Sequence, residues 1–156
     1  MLYKKIQKGF TITEMLVTIS IIGIMAAMIV PTLSHYLPGI QLNGSARSLN
    51  SDLRNMQEHA ITEQKQYSIK FFPSTSPPTY KLLKIDNSVI PPTEEEIRTV
   101  NLPSNCSLTL APTISQDEII FSADGGPSSA GDITITLNSV NKILNVSPAG
   151  FIKISN

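Results

Sequence analysis

From Phe10 to Val30 the chain runs through 21 residues with a single charge, Glu14, and three lysines, Lys4, Lys5 and Lys8, stand just ahead of that run. At a rise of 1.5 Å per residue such a stretch makes about 31 Å of helix, close to the roughly 30 Å hydrocarbon core of a bilayer. One transmembrane helix is the direct reading. By the positive-inside rule the lysines keep the amino-terminal side in the cytoplasm, so the carboxy-terminal part is expected in the periplasm or outside the cell. An acid inside a span costs a few kcal/mol at the helix centre, which makes Glu14 a functional residue by default. The competing reading is local: an acid in the first helical turn is favoured by the helix dipole.

A secretory signal has a similar basic start but is cut after its apolar run, behind small residues. Ala26-Ala27-Met28 could imitate such a site, yet the stronger punctuation is Gly9-Phe10, on the lysine side of the run. The segment Lys8-Gly9-Phe10-Thr11-Ile12-Thr13-Glu14-Met15-Leu16-Val17 resembles the processing site of the type IV pilin and type II secretion pseudopilin superfamily: a short basic leader, Gly before the cut, Phe after it, Glu as fifth mature residue. The resemblance implies that prepilin peptidase cleaves between Gly9 and Phe10 and that the new Phe10 amine is methylated. The protein would be the substrate of that chemistry and no enzyme itself. It also implies a role for Glu14 in assembly, as partner to the Phe10 amine of a neighbouring subunit, because two charges that are costly alone become tolerable when paired. Related pilins often carry a proline where Pro31 stands, so a bend is expected there with helix beyond it.

Composition adds limits. Lys plus Arg and Asp plus Glu balance at 12 each, but a chain starting at Phe10 holds 9 bases against 12 acids, a side-chain charge of −3. A generic phosphate-binding surface would be basic. The one cysteine, Cys106, has no intramolecular disulfide partner and reads as a small buried apolar residue.

Past Pro38-Gly39, which could interrupt or bend the helix, with a fresh turn beginning at Asn43, Gly44 or Ser45, the residues Ala46, Leu49, Leu53, Met56 and Ala60 recur at spacings of 3, 4, 3 and 4. This predicts an amphipathic helix to about Gln64, with Arg47, Asp52, Arg54 and Glu58 mostly off its apolar face. From Tyr67 the period changes to two, and strands are expected at residues 67–71, 80–85, 97–102, 107–110, 118–121, 133–137, 143–146 and 151–154. Ser76-Pro77-Pro78, Pro91-Pro92, Asp124-Gly125-Gly126-Pro127 and Ser147-Pro148-Ala149-Gly150 separate them as loops. The expected fold is α+β: a long amino-terminal helix, membrane-spanning then amphipathic, packed on an antiparallel β domain of one or two small sheets. The corresponding division is leader 1–9, transmembrane and assembly helix 10–31, amphipathic continuation 32–66 and periplasmic β domain 67–156.

The helix from Ala46 to Ile61, together with a carboxy-terminal run through Ile119-Ile120-Phe121, Ile133 to Leu137 and Ile143 to Ile154, resembles the GspH/FimT group of minor pilins and pseudopilins. That resemblance implies a structural subunit, single-pass in the inner membrane, that helps tip assembly or initiation of a type II secretion pseudopilus or type IV pilus. Other pilins, prepilin peptidase and an inner-membrane assembly platform would be its partners. An alternative within the same group is a FimT-like subunit that binds DNA in natural transformation. Only Lys153, with Lys142 nearby, stands where such a site would want several arginines, so nucleic acid is not the expected partner.

No catalytic residues, metal site or cofactor are expected. HExxH, CxxC, GxSxG and phosphate-loop patterns do not occur, and His35 and His59 lie 24 residues apart. Asp117, Glu118, Asp124 and Asp132 fall in one acidic stretch without the alternating oxygen ligands of a calcium loop. Glu94-Glu95-Glu96, after Pro91-Pro92-Thr93, reads as a solvated loop or a single helical turn, or else as a docking patch for a neighbouring subunit.

Overall fold

The computed structural model describes residues 9–155, and the chain divides between Leu37 and Pro38 into two units. One helix, α1, runs from Ile12 to Glu63. Its first part, Ile12–Ile29, is long and apolar enough to cross a membrane, and its side chains there are exposed on every side. The three lysines ahead of it lie outside the described residues.

Of the two possibilities at Pro38-Gly39, interruption does not occur: α1 passes through Pro31, Pro38 and Gly39 as one helix. A proline removes one backbone donor from the ladder, and the turns that follow Pro38 are held from the side. Leu42, Ala46, Leu49, Leu53, Met56 and Ala60 are all buried, the expected apolar face lengthened by one residue. Fully burying a leucine stabilises by about 1.5–3 kcal/mol, so this stripe outweighs one lost hydrogen bond.

Eight strands follow: β1 Gln66–Phe72, β2 Thr79–Asp86, β3 Thr93–Asn101, β4 Cys106–Leu110, β5 Glu118–Phe121, β6 Gly131–Leu137, β7 Val140–Val146 and β8 Ile152–Ser155. They form two four-stranded sheets, ordered β3-β2-β1-β5 and β4-β6-β7-β8, and every pairing is antiparallel. Alternation explains the faces. Tyr67, Ile69 and Phe71 of β1 and Ile133, Ile135 and Leu137 of β6 point inward, and both sets join the helix stripe in one continuous core. Cys106 is buried in that core, which pushes its thiol pKa up. A two-residue turn joins β6 to β7, with Asn138 and Ser139 both at positive φ, the backbone a tight hairpin of this hand requires.

Glu94-Glu95-Glu96 is neither loop nor helical turn. The three acids belong to β3, opposite Ile85, Lys84 and Leu83 of β2. Glutamate is a poor strand former, but cross-strand charge supports it here: Lys81 Nζ lies 2.6 Å from Glu96 Oε2, and Lys70 Nζ lies 4.0 Å from Glu94 Oε2. β3 is an edge strand, where a row of charges also discourages unwanted strand addition.

Candidate functional site

Gly9 and Phe10 lie in exposed chain without regular structure immediately before the helix, and Phe10 is 78% exposed. Thr11 is the residue before the first turn. Its Oγ1 accepts a hydrogen bond from the Glu14 N–H at 3.2 Å, and its carbonyl accepts from the Met15 N–H at 3.2 Å. Ser or Thr followed three residues later by Glu is the capping-box pattern, and here the helix starts at it. The Thr11-x-x-Glu14 spacing was available in the sequence, and its meaning is local: the helix begins two residues after the Gly9-Phe10 bond. That bond therefore stays outside the helix in exposed chain, where its carbonyl is free of the helical ladder.

Glu14 sits in the first turn of α1. The helix dipole favours an acid at this point, and no described residue gives its carboxylate a hydrogen bond or a counter-ion. Its position thus satisfies the local reading, while its carboxylate stays available to a charge on another molecule.

In the second unit, one polar group missed by the periodicity is built into the core. Asp52 is buried, with Tyr80 hydroxyl donating to its Oδ2 at 2.7 Å and Arg98 Nη2 paired with its Oδ1. Burial and the adjoining carboxylate push the Tyr80 hydroxyl pKa up. Spacing alone could have found Asp52, which is three residues after Leu49 and four before Met56, on the apolar face itself. The group ties α1 to β2 and to edge strand β3.

A second set of side chains fastens loops to the helix. Gln57 Nε2 donates to the Gly125 carbonyl at 2.8 Å and the Gly150 carbonyl at 3.1 Å, and Arg54 Nη2 donates to the Ile152 carbonyl at 2.9 Å. Gly125 and Gly150 both have φ above +80°, a region that favours glycine. A Cβ at Gly150 would stand 2.5 Å from Gln57 Nε2 and 3.1 Å from the Gly125 carbonyl oxygen, so a side chain there would displace the Gln57 amide from its place. Towards the end of α1, Lys84 Nζ lies 2.7 Å from Glu63 Oε2. Hydrogen bonds from Lys84 and Tyr67 lower the Glu63 pKa to about 2.

The four acids of the stretch 117–132 do not converge: Asp132 accepts from Asn145, Asp124 from the Gly126 N–H, and Glu118 lies 4.0 Å from Lys70. Among the described residues no three His, Cys, Asp or Glu side chains are grouped to hold a metal ion.

Residues 4–30 match the prokaryotic N-terminal methylation motif. Residues 45–150, more than half of the chain, match the family described as type II transport protein GspH. The chain belongs to the GspH family. Relatives in sequence include a fimbrial protein of Pseudomonas aeruginosa, 34% identical over 82 residues that take in 46% of this chain and 53% of the relative. The chain thus spans about half the length of the curated relatives it matches. Among solved structures, the minor pseudopilin EpsH from the type 2 secretion system of Vibrio cholerae superposes with a TM-score of 0.63 at 11% identity, over 74% of this chain and 96% of that one. The type IV minor pilin FimU of Pseudomonas aeruginosa gives 0.61 at 15% identity, over 78% of this chain and 92% of that one. At these identities the likeness is one of fold, and it bears out the α+β reading: a long apolar helix at the amino-terminal end and two antiparallel sheets.

Proposed function

We propose that the protein is a minor pilin or pseudopilin, a structural subunit and not an enzyme, that helps initiate or tip a type II secretion pseudopilus or type IV pilus. The observation that carries this reading is a methylation motif at residues 4–30 joined in one chain to a GspH domain at residues 45–150. The division proposed is leader 1–9, assembly helix 10–31, amphipathic continuation 32–66 and β domain 67–156. Prepilin peptidase removes the leader between Gly9 and Phe10, and the Phe10 amine is methylated. The protein is then held by one span in the inner membrane, its amino-terminal side cytoplasmic and its β domain periplasmic, until an assembly platform moves it into a filament of other pilins.

The chemistry of Glu14 follows from its surroundings. Cleavage turns the Phe10 amide into a cationic amine, and a subunit leaving the bilayer must place that cation in a bundle of apolar helices. The unpaired Glu14 carboxylate of a neighbour offers the counter-charge, and it does so at one axial offset only. Charge pairing thereby sets register.

Mass spectrometry of the membrane-bound protein tests the reading. A chain that begins at methylated Phe10, and does so only when prepilin peptidase is present, is the expected result; an intact leader, or a cut after Ala27, overturns it. Glu14→Ala is expected to leave cleavage largely intact while lowering recovery of the subunit in sheared filaments relative to membranes.

A further inference from the structure

Where α1 gives way to β1, the end of the first sheet carries a hollow of about 600 Å³ that the proposed role in a filament does not use. Its walls are the start of β1, the end of β2 with the turn that follows, and the loop after β5. The volume lies within the range of small-molecule sites. Ile85 and Ala123 supply the apolar part of the lining, and the rest is side-chain amide, carboxylate, hydroxyl and one ammonium.

Among the described residues, several of these polar groups are held at one end and open at the other. Gln64, just past α1 with φ +53°, donates from Nε2 to the Ile61 and Ala123 carbonyls at 2.7 and 3.3 Å. This joins the helix end to the loop wall and leaves Gln64 Oε1 uncommitted. Asn87 Nδ2 donates to Gln66 Oε1 at 2.9 Å, so the pair keeps one amide nitrogen and one amide oxygen in reserve. Asp86 Oδ1 accepts from the Ser88 N–H at 2.9 Å and from the Ser88 hydroxyl at 2.6 Å, and its Oδ2 is left over. Those bonds, with Lys65 adding to them, hold the Asp86 carboxyl below the usual carboxylate pKa, so it is ionised at neutral pH. Polar groups already fixed by their neighbours lose little freedom when a ligand arrives.

The donor and acceptor set decides which class of molecule fits. Lys65 only donates, Asp86 and Asp124 only accept, and the amide pair offers one of each. A hydroxyl does both, so a ring bearing several hydroxyls can satisfy the whole set at once, whereas a purely accepting or purely donating ligand meets only part of it. Net charge points the same way. One ammonium stands among two carboxylates, so an anion such as phosphate finds no cationic field, and among the described residues no three His, Cys, Asp or Glu side chains gather to hold a metal ion. We propose that this hollow binds a neutral saccharide of hexose or N-acetylhexosamine units through Gln64, Lys65, Gln66, Asp86, Asn87 and Asp124. The binding is a second activity for the chain and does not depend on cleavage at Gly9-Phe10.

Calorimetric titration of the full chain, in phospholipid bilayers free of glycolipid, tests the site with the trimers of N-acetylglucosamine and of glucose. Saturable binding of at least one of them is expected; heat from neither overturns the proposal. Asn87→Ala, at an exposed turn position, and Gln66→Ala, at a half-buried one, are each expected to weaken binding about tenfold, the scale of one or two lost hydrogen bonds. Phe151→Ala, on a different loop, is expected to leave it unchanged. Unaltered affinity in both amide variants puts the saccharide elsewhere and overturns the site. Tighter binding of a short DNA duplex, a sulfated polysaccharide or an uncharged peptide, weakened by the same two variants, overturns the ligand class. A chain correctly cut at Phe10 that binds no sugar sinks this site alone, whereas an uncut chain that binds sugar sinks the subunit reading and leaves the site standing.

Discussion

From Ile12 to Ile29 α1 shows apolar side chains to its surroundings on every side, whereas from Leu42 to Ala60 it buries a single apolar stripe and leaves the rest polar. The backbone is the same; what differs is where the partners come from. The second stretch finds its partners in its own chain, in the inward faces of two sheets. The first finds none among the described residues, so its apolar surface calls for lipid or for other helices. One helix thus divides its two halves between folding and association, and the 3-and-4 spacing marks where the division falls.

Substitution can break this contrast. Leu53→Ala is expected to destabilise the β unit by about 2–5 kcal/mol, read by urea unfolding, while Leu16→Ala, in the exposed half, leaves that transition where it was. Equal effects of the two would remove the distinction. Next in size is Asp52→Ala, which leaves the Tyr80 hydroxyl buried without its acceptor and is expected to cost about 1–3 kcal/mol; Asp52→Asn keeps an acceptor and is expected to cost less. Should the alanine variant unfold like the parent protein, the helix would be held to β2 and β3 by apolar contact alone.

Gln57→Leu removes two hydrogen bonds whose net worth is about 1 kcal/mol each. Faster amide exchange confined to residues around Gly125 and Gly150 is the expected signature, with the core strands unchanged. The smallest effect concerns pH. Glu63 has its pKa lowered in the folded state from 4.5 to about 2, so its contribution is present above pH 4.5 and is lost as pH falls from there towards 2. Because the pair is solvent-exposed the effect is modest, and Glu63→Gln should flatten that part of an acid-unfolding curve by slightly lowering the neutral plateau while leaving stability near pH 2 unchanged.

Much of this architecture was readable from spacing. The five residues from Ala46 to Ala60 that share a helical face are all buried, and each of the eight expected strands has a counterpart, because period two and period 3.6 are direct images of the two backbones. Three features resisted for physical reasons. Pro38-Gly39 looks like a break, and only packing from Leu42 onward carries the helix through it. Glu94-Glu95-Glu96 looks solvated, and β3 begins there because Lys70 and Lys81 reach across from β1 and β2. Asp52 stands on the apolar face by its spacing, but the partners that make its burial tolerable, Tyr80 and Arg98, come from residues far along the chain. At the site itself, Gly9, Phe10 and Glu14 are legible as a linear pattern. The Thr11-x-x-Glu14 spacing was legible as well, and the hydrogen bond from the Glu14 N–H to Thr11 Oγ1 gives it its meaning as the start of the helix.

The order of the first sheet, β3-β2-β1-β5, has a consequence for how the protein is made. β7 pairs with β6 and β8, and β2 pairs with β1 on one side and β3 on the other, all short loops to close, while β6 reaches past β5 to β4. β5 must instead travel back to β1, bringing Phe121 opposite Tyr67, and distant pairings of this kind form late. Until β5 arrives, Ile119 and Phe121 remain uncovered and the loop at Gly125 has no hold on Gln57. The folding chain therefore spends its most vulnerable interval waiting for one four-residue strand, and the same short strand is where a slowed or diverted folding reaction would leave apolar surface open.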